Sequence, residues 1–447
     1  MKGNLSFWAK KAEALVEPDA AQRKKADAVA LSLTERCAGP ASGAGARVVL
    51  GGSYAHDTWL PAEADIDAFL VFPPSLGKER LAEVGLAVAR EALRGLDVTK
   101  RFSEHPYLEA VMGGVRVNVV PCLGVKHGEW ISAADRSPHH TLYMKRALDG
   151  DKRLQVRLLK KLLKAQGLYG AEVKVRGFSG YVAEVVIAAY GSLEGAVRAA
   201  AGWSQGTVVG EGKGSEGVGI MDPVDGRRDL ARAISPAKMA EFVHICRMLL
   251  AGEVPDPFGR RLLRGAGPAP WVLKQVAVLR FRCGEKTDDI LWGELHKTAR
   301  GLAEHLEEDG FGVINFAAEA SKGRAAIAFL LSRRERPPVL ARRGPPVFLA
   351  EESGRFLGKE GGTAWWFGED YRSVRMERRR ETSVEDVVKG YMRDPGRLVG
   401  FARGLVPKAG RGWSMVRGED AAGREDAVVR GAIRKVCGYR SDLGTAG

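Results

Sequence analysis

The apolar positions near the beginning of the chain predict two buried strands. Residues 47–50, Arg-Val-Val-Leu, form a short and mainly apolar run that ends at two glycines. Residues 65–72 read Asp-Ile-Asp-Ala-Phe-Leu-Val-Phe, and the period of two in a strand puts Asp65 and Asp67 on one face and apolar residues on the other. The pattern therefore predicts a sheet with two carboxylates on one side.

Two later segments have the helical period. Leucines recur at helical spacing over residues 152–164, and the basic residues between them, including Lys160, predict an amphipathic helix with a cationic face. The turn at 167–170 can bring Tyr169 back beside this helix, so that a lysine and the Tyr169 hydroxyl both donate to phosphate oxygens. Residues 179–190 are apolar almost all round and predict a buried helix.

The second half of the chain predicts an α+β module. Strands are expected at 271–281 and 364–367, with a helix at 288–309 between them. Residues 382–385, Thr-Ser-Val-Glu, match a capping box for a helix that runs towards Arg393. Arginine-rich segments surround the aromatic residues here, and they fit either an RNA-binding surface or a solvated face.

Composition and charge agree with a polyanionic partner without proving one. The 447 residues suffice for two to four domains, and Lys and Arg outnumber Asp and Glu by 69 to 55, for a net charge of +14. The five cysteines lie far apart and form no disulfide framework. No apolar stretch approaches the roughly 20 residues of a membrane span, and the first residues lack a signal-peptide core. We expect a soluble, cytoplasmic protein.

The chemistry-bearing residues follow the first predicted strand. Gly52 and Ser53 can open a helix whose free backbone N–H groups suit phosphate oxygens. Asp65 and Asp67 repel each other unless cations lie between them, and Mg²⁺ prefers such oxygen ligands together with substrate phosphates. Paired ions can clamp the attacking and leaving oxygens of an in-line displacement. The combination indicates a two-metal phosphoryl-transfer site, whereas the glycine turn alone would indicate a surface loop.

Longer sequence motifs resemble those of a particular enzyme family. Gly52-Ser53 with Asp65-x-Asp67 is similar to the signature of the nucleotidyltransferase superfamily, which includes poly(A) polymerases. The chain resembles the archaeal-type, class I CCA-adding enzymes in five segments, at 52–60, 104–107, 119–122, 174–181 and 222–225. The resemblance implies an enzyme that rebuilds the 3′-terminal C-C-A of tRNA from CTP and ATP and releases pyrophosphate without a nucleic-acid template.

The resemblance also implies a fold and a domain order. It implies a multidomain α+β protein with a polymerase beta-like nucleotidyltransferase head, a helical neck with nucleotide contacts, an α+β RNA-binding body and a tail. We expect their boundaries at 1–145, 146–262, 263–380 and 381–447. The body would hold the acceptor stem and T arm of tRNA through backbone contacts, and the family commonly forms homodimers.

Site residues follow from the resemblance position by position. It implies that Asp65 and Asp67 hold Mg²⁺ and that the other matching positions bind nucleotide. Those positions are Gly52, Ser53 and His56 at the triphosphate, His140, Lys160 and Tyr169 at ribose and phosphate, and Arg228 at the base edge.

One position departs from the pattern. The third carboxylate is expected directly before Val-Val-Pro-Cys, but residue 118 is an asparagine. The Asn118 amide oxygen can ligate Mg²⁺, yet it brings no negative charge and is not a base at neutral pH. Loss of a general base costs on the order of 10²–10⁴ in rate. Glu104 and Glu109 are acids nearby in the sequence, and nothing in the sequence shows that either reaches the metals.

Three functions therefore stay open at this point. The first is a CCA-adding enzyme with Asn118 in the third metal position, either as an engineered change or as a native residue. The second is a related poly(A) polymerase. The third is a weak or inactive paralogue that binds tRNA without extending it, and Asn118 is its best support.

Overall fold

The computed structural model describes residues 2–102, 106–214, 216–252, 254–265, 268–359, 362–393, 402–405, 412–421 and 426–441. The chain divides into two compact units, residues 1–262 and 263–447. This division does not test the four domains predicted from the sequence, which stay a prediction. Both units mix helices and sheets, and the predicted α+β class is confirmed.

The first unit contains a mixed sheet and a set of helices. Its strands are β1 (Lys2–Gly3), β2 (Arg47–Gly51), β3 (Asp65–Phe72), β4 (Val98–Phe102), β5 (Pro106–Met112), β6 (Val115–Leu123), β7 (Val208–Val209), β8 (Gly219–Ile220) and β9 (Val254–Pro255). Its helices are α1 (Leu5–Val16), α2 (Ala20–Gly43), α3 (Gly52–Ala55), α4 (Gly77–Ala92), α5 (Ser137–Ala147), α6 (Gly150–Gln166), α7 (Gly180–Tyr190), α8 (Leu193–Ala201) and α9 (Pro236–Ala251).

The five-stranded sheet has the order β2-β3-β6-β5-β4. Strands β3 and β6 are parallel, and the other pairs in this sheet are antiparallel. Ile66, Ala68 and Leu70 point to one side, where α2 and α4 cover them in a shared apolar core. Asp65 and Asp67 therefore lie on the side that these two helices leave uncovered, as the period of two predicted.

The second unit contains two further sheets of more than two strands. Its strands are β10 (Leu263–Gly265), β11 (Val276–Arg282), β12 (Val313–Ser321), β13 (Arg324–Leu331), β14 (Val339–Pro346), β15 (Gly362–Phe367), β16 (Arg372–Arg378), β17 (Trp413–Arg417) and β18 (Tyr439–Ser441). Its helices are α10 (Pro270–Leu273), α11 (Asp288–Glu308), α12 (Ala350–Leu357), α13 (Val384–Arg393), α14 (Gly418–Ala421) and α15 (Ala427–Val436). The sheet orders are β12-β13-β11-β17 and β14-β16-β15.

Predictions for this unit are confirmed in outline and wrong in two details. The strand expected at 271–281 begins only at Val276, because Pro270 starts the short helix α10. The cap of α13 is shifted by one residue. Ser383 Oγ accepts from Asp386 N at 3.1 Å and donates to the Asp386 carboxylate at 2.7 Å, so Thr382 is not the capping residue.

No helix within the ranges given above combines the length and the apolar character that a membrane crossing requires. All five cysteines are free thiols, and four of them are buried. In the first unit, burial raises the pKa of Cys37 to about 11 and that of Cys122 to about 12. These two thiols therefore belong to the packed interior and are not reactive groups.

Close packing of α4 on β6 makes Gly85 a sensitive position. A Cβ atom at Gly85 would lie 2.4 Å from Pro121 Cβ, whereas a Cβ atom at Gly150, the first residue of α6, would meet no atom within 4 Å. We predict that Gly85→Ala lowers the free energy of unfolding by about 1–3 kcal/mol through overpacking. Gly150→Ala should leave it unchanged or raise it slightly. Chemical denaturation of both variants measures the difference, and equal stabilities would contradict this packing.

Candidate active site

The carboxylates of β3 lie beside the asparagine of β6. Parallel pairing places Asp67 directly opposite Asn118 and Asp65 opposite Arg116. Residues opposite each other in neighbouring strands point to the same face of the sheet. The register therefore brings Asp65, Asp67 and Asn118 to one patch, although 51 residues separate Asp67 from Asn118 in the sequence.

Asn118 makes one hydrogen bond in this patch and leaves one atom without a partner. Its Nδ2 donates to Asp67 Oδ1 at 2.9 Å. Its Oδ1 is buried and has no hydrogen-bond partner among the described residues. A buried amide oxygen without a donor is costly, and a bound cation would satisfy it. The donor set of two carboxylates and one free amide oxygen therefore fits a hard cation such as Mg²⁺.

Within the described ranges, no group of three or more His, Cys, Asp or Glu side chains is arranged to hold a metal ion. A cation in this patch would therefore depend on the Asn118 amide in addition to Asp65 and Asp67. This distinguishes the site from one with three carboxylates, because the asparagine supplies an oxygen ligand without supplying charge.

Gly52 is required by its position above Asp67. Its φ of +64° lies in the left-handed region, and a Cβ atom there would lie 1.9 Å from Asp67 Oδ2. Only glycine lets the backbone pass this close to the carboxylate. The helix α3, which begins at Gly52, has only four residues. Its main contribution is the turn that directs Ser53 towards the cavity, and a helix dipole matters less here.

A cavity of about 350 Å³ joins the predicted site residues. All of them except Arg228 line it, namely Gly52, Ser53, His56, Asp65, Asp67, Asn118, His140, Lys160 and Tyr169. Ser53, Asp65, Lys160 and Tyr169 also line an adjoining cavity of about 990 Å³, which additionally contains Lys25, Arg116 and Lys164. Two cavities that share one carboxylate leave room for a nucleotide and a second substrate.

Arg228 reaches the site through Asp222. The buried Asp222 carboxylate accepts from His140 Nε2 at 2.9 Å, from Tyr181 Oη at 3.1 Å and from Arg228 Nη1 at 3.3 Å. The His140 and Tyr181 rings stack with their centroids 4.2 Å apart. Burial alone would raise the pKa of Asp222, but the hydrogen bond from His140 and the other contacts lower it to about 2. Asp222 therefore holds the ring and guanidinium groups of the site in fixed positions.

Lys160 lies on the basic side of the predicted amphipathic helix, yet it is buried. Its residue is 2% exposed, as is Arg157 on the same helix. Both are covered because α6 packs against α1, α7 and α8, so more than one face of the helix is enclosed. Lys160 Nζ donates to Thr58 O at 3.1 Å, to Thr58 Oγ1 at 3.0 Å and to Glu184 Oε1 at 3.4 Å. Burial lowers the pKa of Lys160.

Glu184 and Tyr181 are cavity residues that the sequence prediction missed. Both lie on α7, which was expected to be buried core. A signal for Glu184 was present, because it is a single acid in an otherwise apolar helix and such a charge requires partners. Tyr169 is placed as predicted, with Lys164 Nζ 4.6 Å from its ring centroid.

Comparisons with known proteins agree with this geometry. Family models match the nucleotidyltransferase domain at 35–139, the second domain of tRNA nucleotidyltransferase at 154–258 and the C-terminal domain of the CCA-adding enzyme at 274–400. The CCA-adding enzyme of Archaeoglobus fulgidus is 35% identical over 372 residues, which cover 78% of this chain and 81% of the relative. The chain belongs to the CCA-adding enzyme family.

Other members of the family align over similar lengths. The CCA-adding enzyme of Methanoregula boonei is 31% identical over 437 residues, covering 94% of this chain and 93% of the relative. That of Sulfolobus acidocaldarius is 31% identical over 380 residues, covering 84% and 88%. The similarity to CCA-adding enzymes thus extends over both compact units of the chain.

Of the two further acids near the predicted third carboxylate, Glu104 lies outside the described residues. Glu109 lies opposite Asn118 in the antiparallel pairing of β5 with β6, on the same face of the sheet. Its Oε1 accepts from Arg101 Nη2 at 2.8 Å. Glu109, the residue opposite Asn118 in β5, is thus already paired with an arginine. It also does not line the cavity.

The burial of Asp67 generates a pH prediction. Burial raises the pKa of Asp67 to about 6, although the hydrogen bond from Asn118 acts to lower this pKa. The metal-free carboxyl should therefore be protonated below about pH 6, and a divalent cation should lower the pKa because it favours the anion. A ¹³C NMR titration of the carboxyl groups, with and without Mg²⁺, measures this. A pKa near 4 that Mg²⁺ leaves unchanged would contradict the site.

Proposed function

We propose that this chain adds or repairs the 3′-terminal C-C-A of tRNA with CTP and ATP as substrates, in a reaction that releases pyrophosphate. The observation that carries the proposal is the patch formed by Asp65, Asp67 and Asn118 at the base of a cavity lined by phosphate-binding side-chain types. Membership of the CCA-adding enzyme family supports tRNA as the acceptor.

Asp65, Asp67 and Asn118 would hold Mg²⁺, whose charge offsets that of the triphosphate and of the attacking 3′ oxygen. Asp67 is the more deeply buried of the two carboxylates, and burial raises the pKa of Asp65 as well. The Asn118 oxygen completes the ligand set but cannot accept the proton of the 3′ hydroxyl. The proton must therefore leave to solvent or to another base. This makes the chemical step slower than it would be with an aspartate at position 118.

The remaining site residues divide by position. Ser53, His56 and Lys160 surround the end of the cavity where we place the triphosphate, with Tyr169 beside them. His140 stacks on Tyr181, and we assign this pair to the ribose. The Arg228 guanidinium is held by Asp222, so its planar fork is fixed and can hydrogen-bond a base edge.

We also propose that the chain forms a homodimer and works in the cytoplasm. The second unit of each chain would hold the acceptor stem and T arm of tRNA. Edge strand β15 supports a contact surface there, because Trp365, Trp366 and Phe367 are each about half exposed. The exposed arginines of the same sheet, Arg342 and Arg343 on β14 and Arg378 on β16, supply positive charge for a phosphate backbone, whereas Arg375 is buried.

An incorporation assay tests the function. The substrate is a tRNA that ends before its C-C-A, supplied with labelled CTP and ATP and Mg²⁺. We expect addition of C, C and A followed by a stop, and no extension of a tRNA that already ends in C-C-A. Asp67→Asn should remove incorporation because it removes a charged ligand, whereas Asp97→Asn, at an exposed aspartate of the same unit, should not.

Two results would contradict this function. Long tails made from ATP alone would identify a poly(A) polymerase. Tight tRNA binding without incorporation under any divalent metal would identify a protein that binds tRNA but does not extend it.

A further inference from the structure

Glu184 is a buried carboxylate to which the reaction described above gives no role. It lies in the apolar helix α7 and is 2% exposed. Its Oε2 accepts from His56 Nδ1 at 2.9 Å, and its Oε1 accepts from Thr58 Oγ1 and from Lys160 Nζ. Both oxygens are thus used by side chains that surround the cavity.

His56 is oriented by this contact. Its Nδ1 is bound to Glu184, and its Nε2 is buried without a hydrogen-bond partner among the described residues. Because the first nitrogen is engaged, Nε2 is the ring atom left for a ligand in the cavity that His56 lines. When the ring carries a second proton, this atom donates, and the Glu184 carboxylate compensates the charge.

Lys160 is oriented in the same way. An ammonium group has three N–H donors, and Thr58 takes two of them at 3.0 and 3.1 Å. The third faces Glu184 Oε1 at 3.4 Å, which is the longest of the three contacts. A phosphate oxygen can therefore replace Glu184 as the third acceptor while both bonds to Thr58 stay in place.

The charge of Glu184 is maintained by these partners. Burial alone would raise its pKa, but Lys160, His56 and Thr58 together lower it to about 2. Close approach of α7 makes the arrangement possible, because a Cβ atom at Gly180 would lie 2.9 Å from Tyr169 Oη and 3.5 Å from Lys160 Nζ. Glu184 thus stays ionised at neutral pH although it is buried.

We propose that Glu184 is a positioning residue for the triphosphate of the incoming nucleotide, acting through His56 and Lys160. Its carboxylate fixes the His56 ring and the Lys160 ammonium group towards the cavity and is the acceptor that a triphosphate oxygen displaces from Lys160. The inference rests on the proposed function in one respect, that the cavity holds the triphosphate. The nucleoside part of the substrate makes no contact with Glu184 in this account.

Binding of inorganic tripolyphosphate, measured by calorimetry in the absence of tRNA, tests the role separately from catalysis. The variant is Glu184→Gln, which keeps the shape and removes the charge. The control is Ile187→Val, a buried apolar change one turn further along α7. We expect Glu184→Gln to weaken binding on the order of 10–100-fold, the size of effect seen when groups that orient metal ligands are removed. Ile187→Val should bind like the wild type.

Steady-state kinetics supply the second readout. Glu184→Gln should raise KM for CTP and for ATP by the same factor, because both share the triphosphate, with a smaller change in kcat. A merely structural role would lower the melting temperature and the active fraction without shifting KM. If Glu184→Gln does not fold, Glu184→Asp replaces it, since the shorter carboxylate keeps the charge and should lose affinity for tripolyphosphate by withdrawing from His56.

The outcomes separate the inference from the function it rests on. Equal tripolyphosphate affinity in wild type and folded Glu184 variants would overturn the positioning role and leave the function intact. No tripolyphosphate binding by the wild type would overturn the placement of the triphosphate, and with it this inference. C-C-A addition in the incorporation assay would still stand on its own in that case.

Discussion

The site depends on a carboxylate that the fold buries without a charged partner. Asp67 lies in the central part of a five-stranded sheet, and among the described residues its side chain receives a hydrogen bond from Asn118 but forms no ion pair. An anion in such surroundings is unfavourable, which is why burial raises its pKa to about 6. A divalent cation removes this cost, so the sheet is organised for a state that contains one.

Glu184, which lines the same cavity, shows the opposite arrangement. It is only 2% exposed, whereas Asp67 is partly buried, yet Lys160, His56 and the Thr58 hydroxyl lower the pKa of Glu184 to about 2. The cavity thus contains Asp67, which needs an external cation, and Glu184, which holds Lys160 and His56 in place. A triphosphate with its metal is complementary to both acids and their partners, since it brings cations to Asp67 and oxygen acceptors to Lys160 and His56.

Local periodicity predicted the parts of the site that one element supplies. The alternation in β3 correctly placed Asp65 and Asp67 on one face, whereas the close approach of Gly52 to Asp67 is seen only in the structure. Contacts between distant elements were not predictable in this way. The burial of Lys160 depends on helices that enclose α6 from several sides, and the role of Glu184 depends on where α7 crosses the loop that contains Thr58.

For Asn118, the sequence identified an unusual residue, and the structure gives the geometry of its contacts. An aspartate there would lose the hydrogen bond to Asp67 and add a third negative charge, which Mg²⁺ would then neutralise, and it would supply a base. The most direct test is the single-turnover rate of CTP addition by the wild type and by Asn118→Asp at saturating Mg²⁺. We predict that the aspartate form is faster, on the order of 10²–10⁴-fold. Equal rates would contradict it.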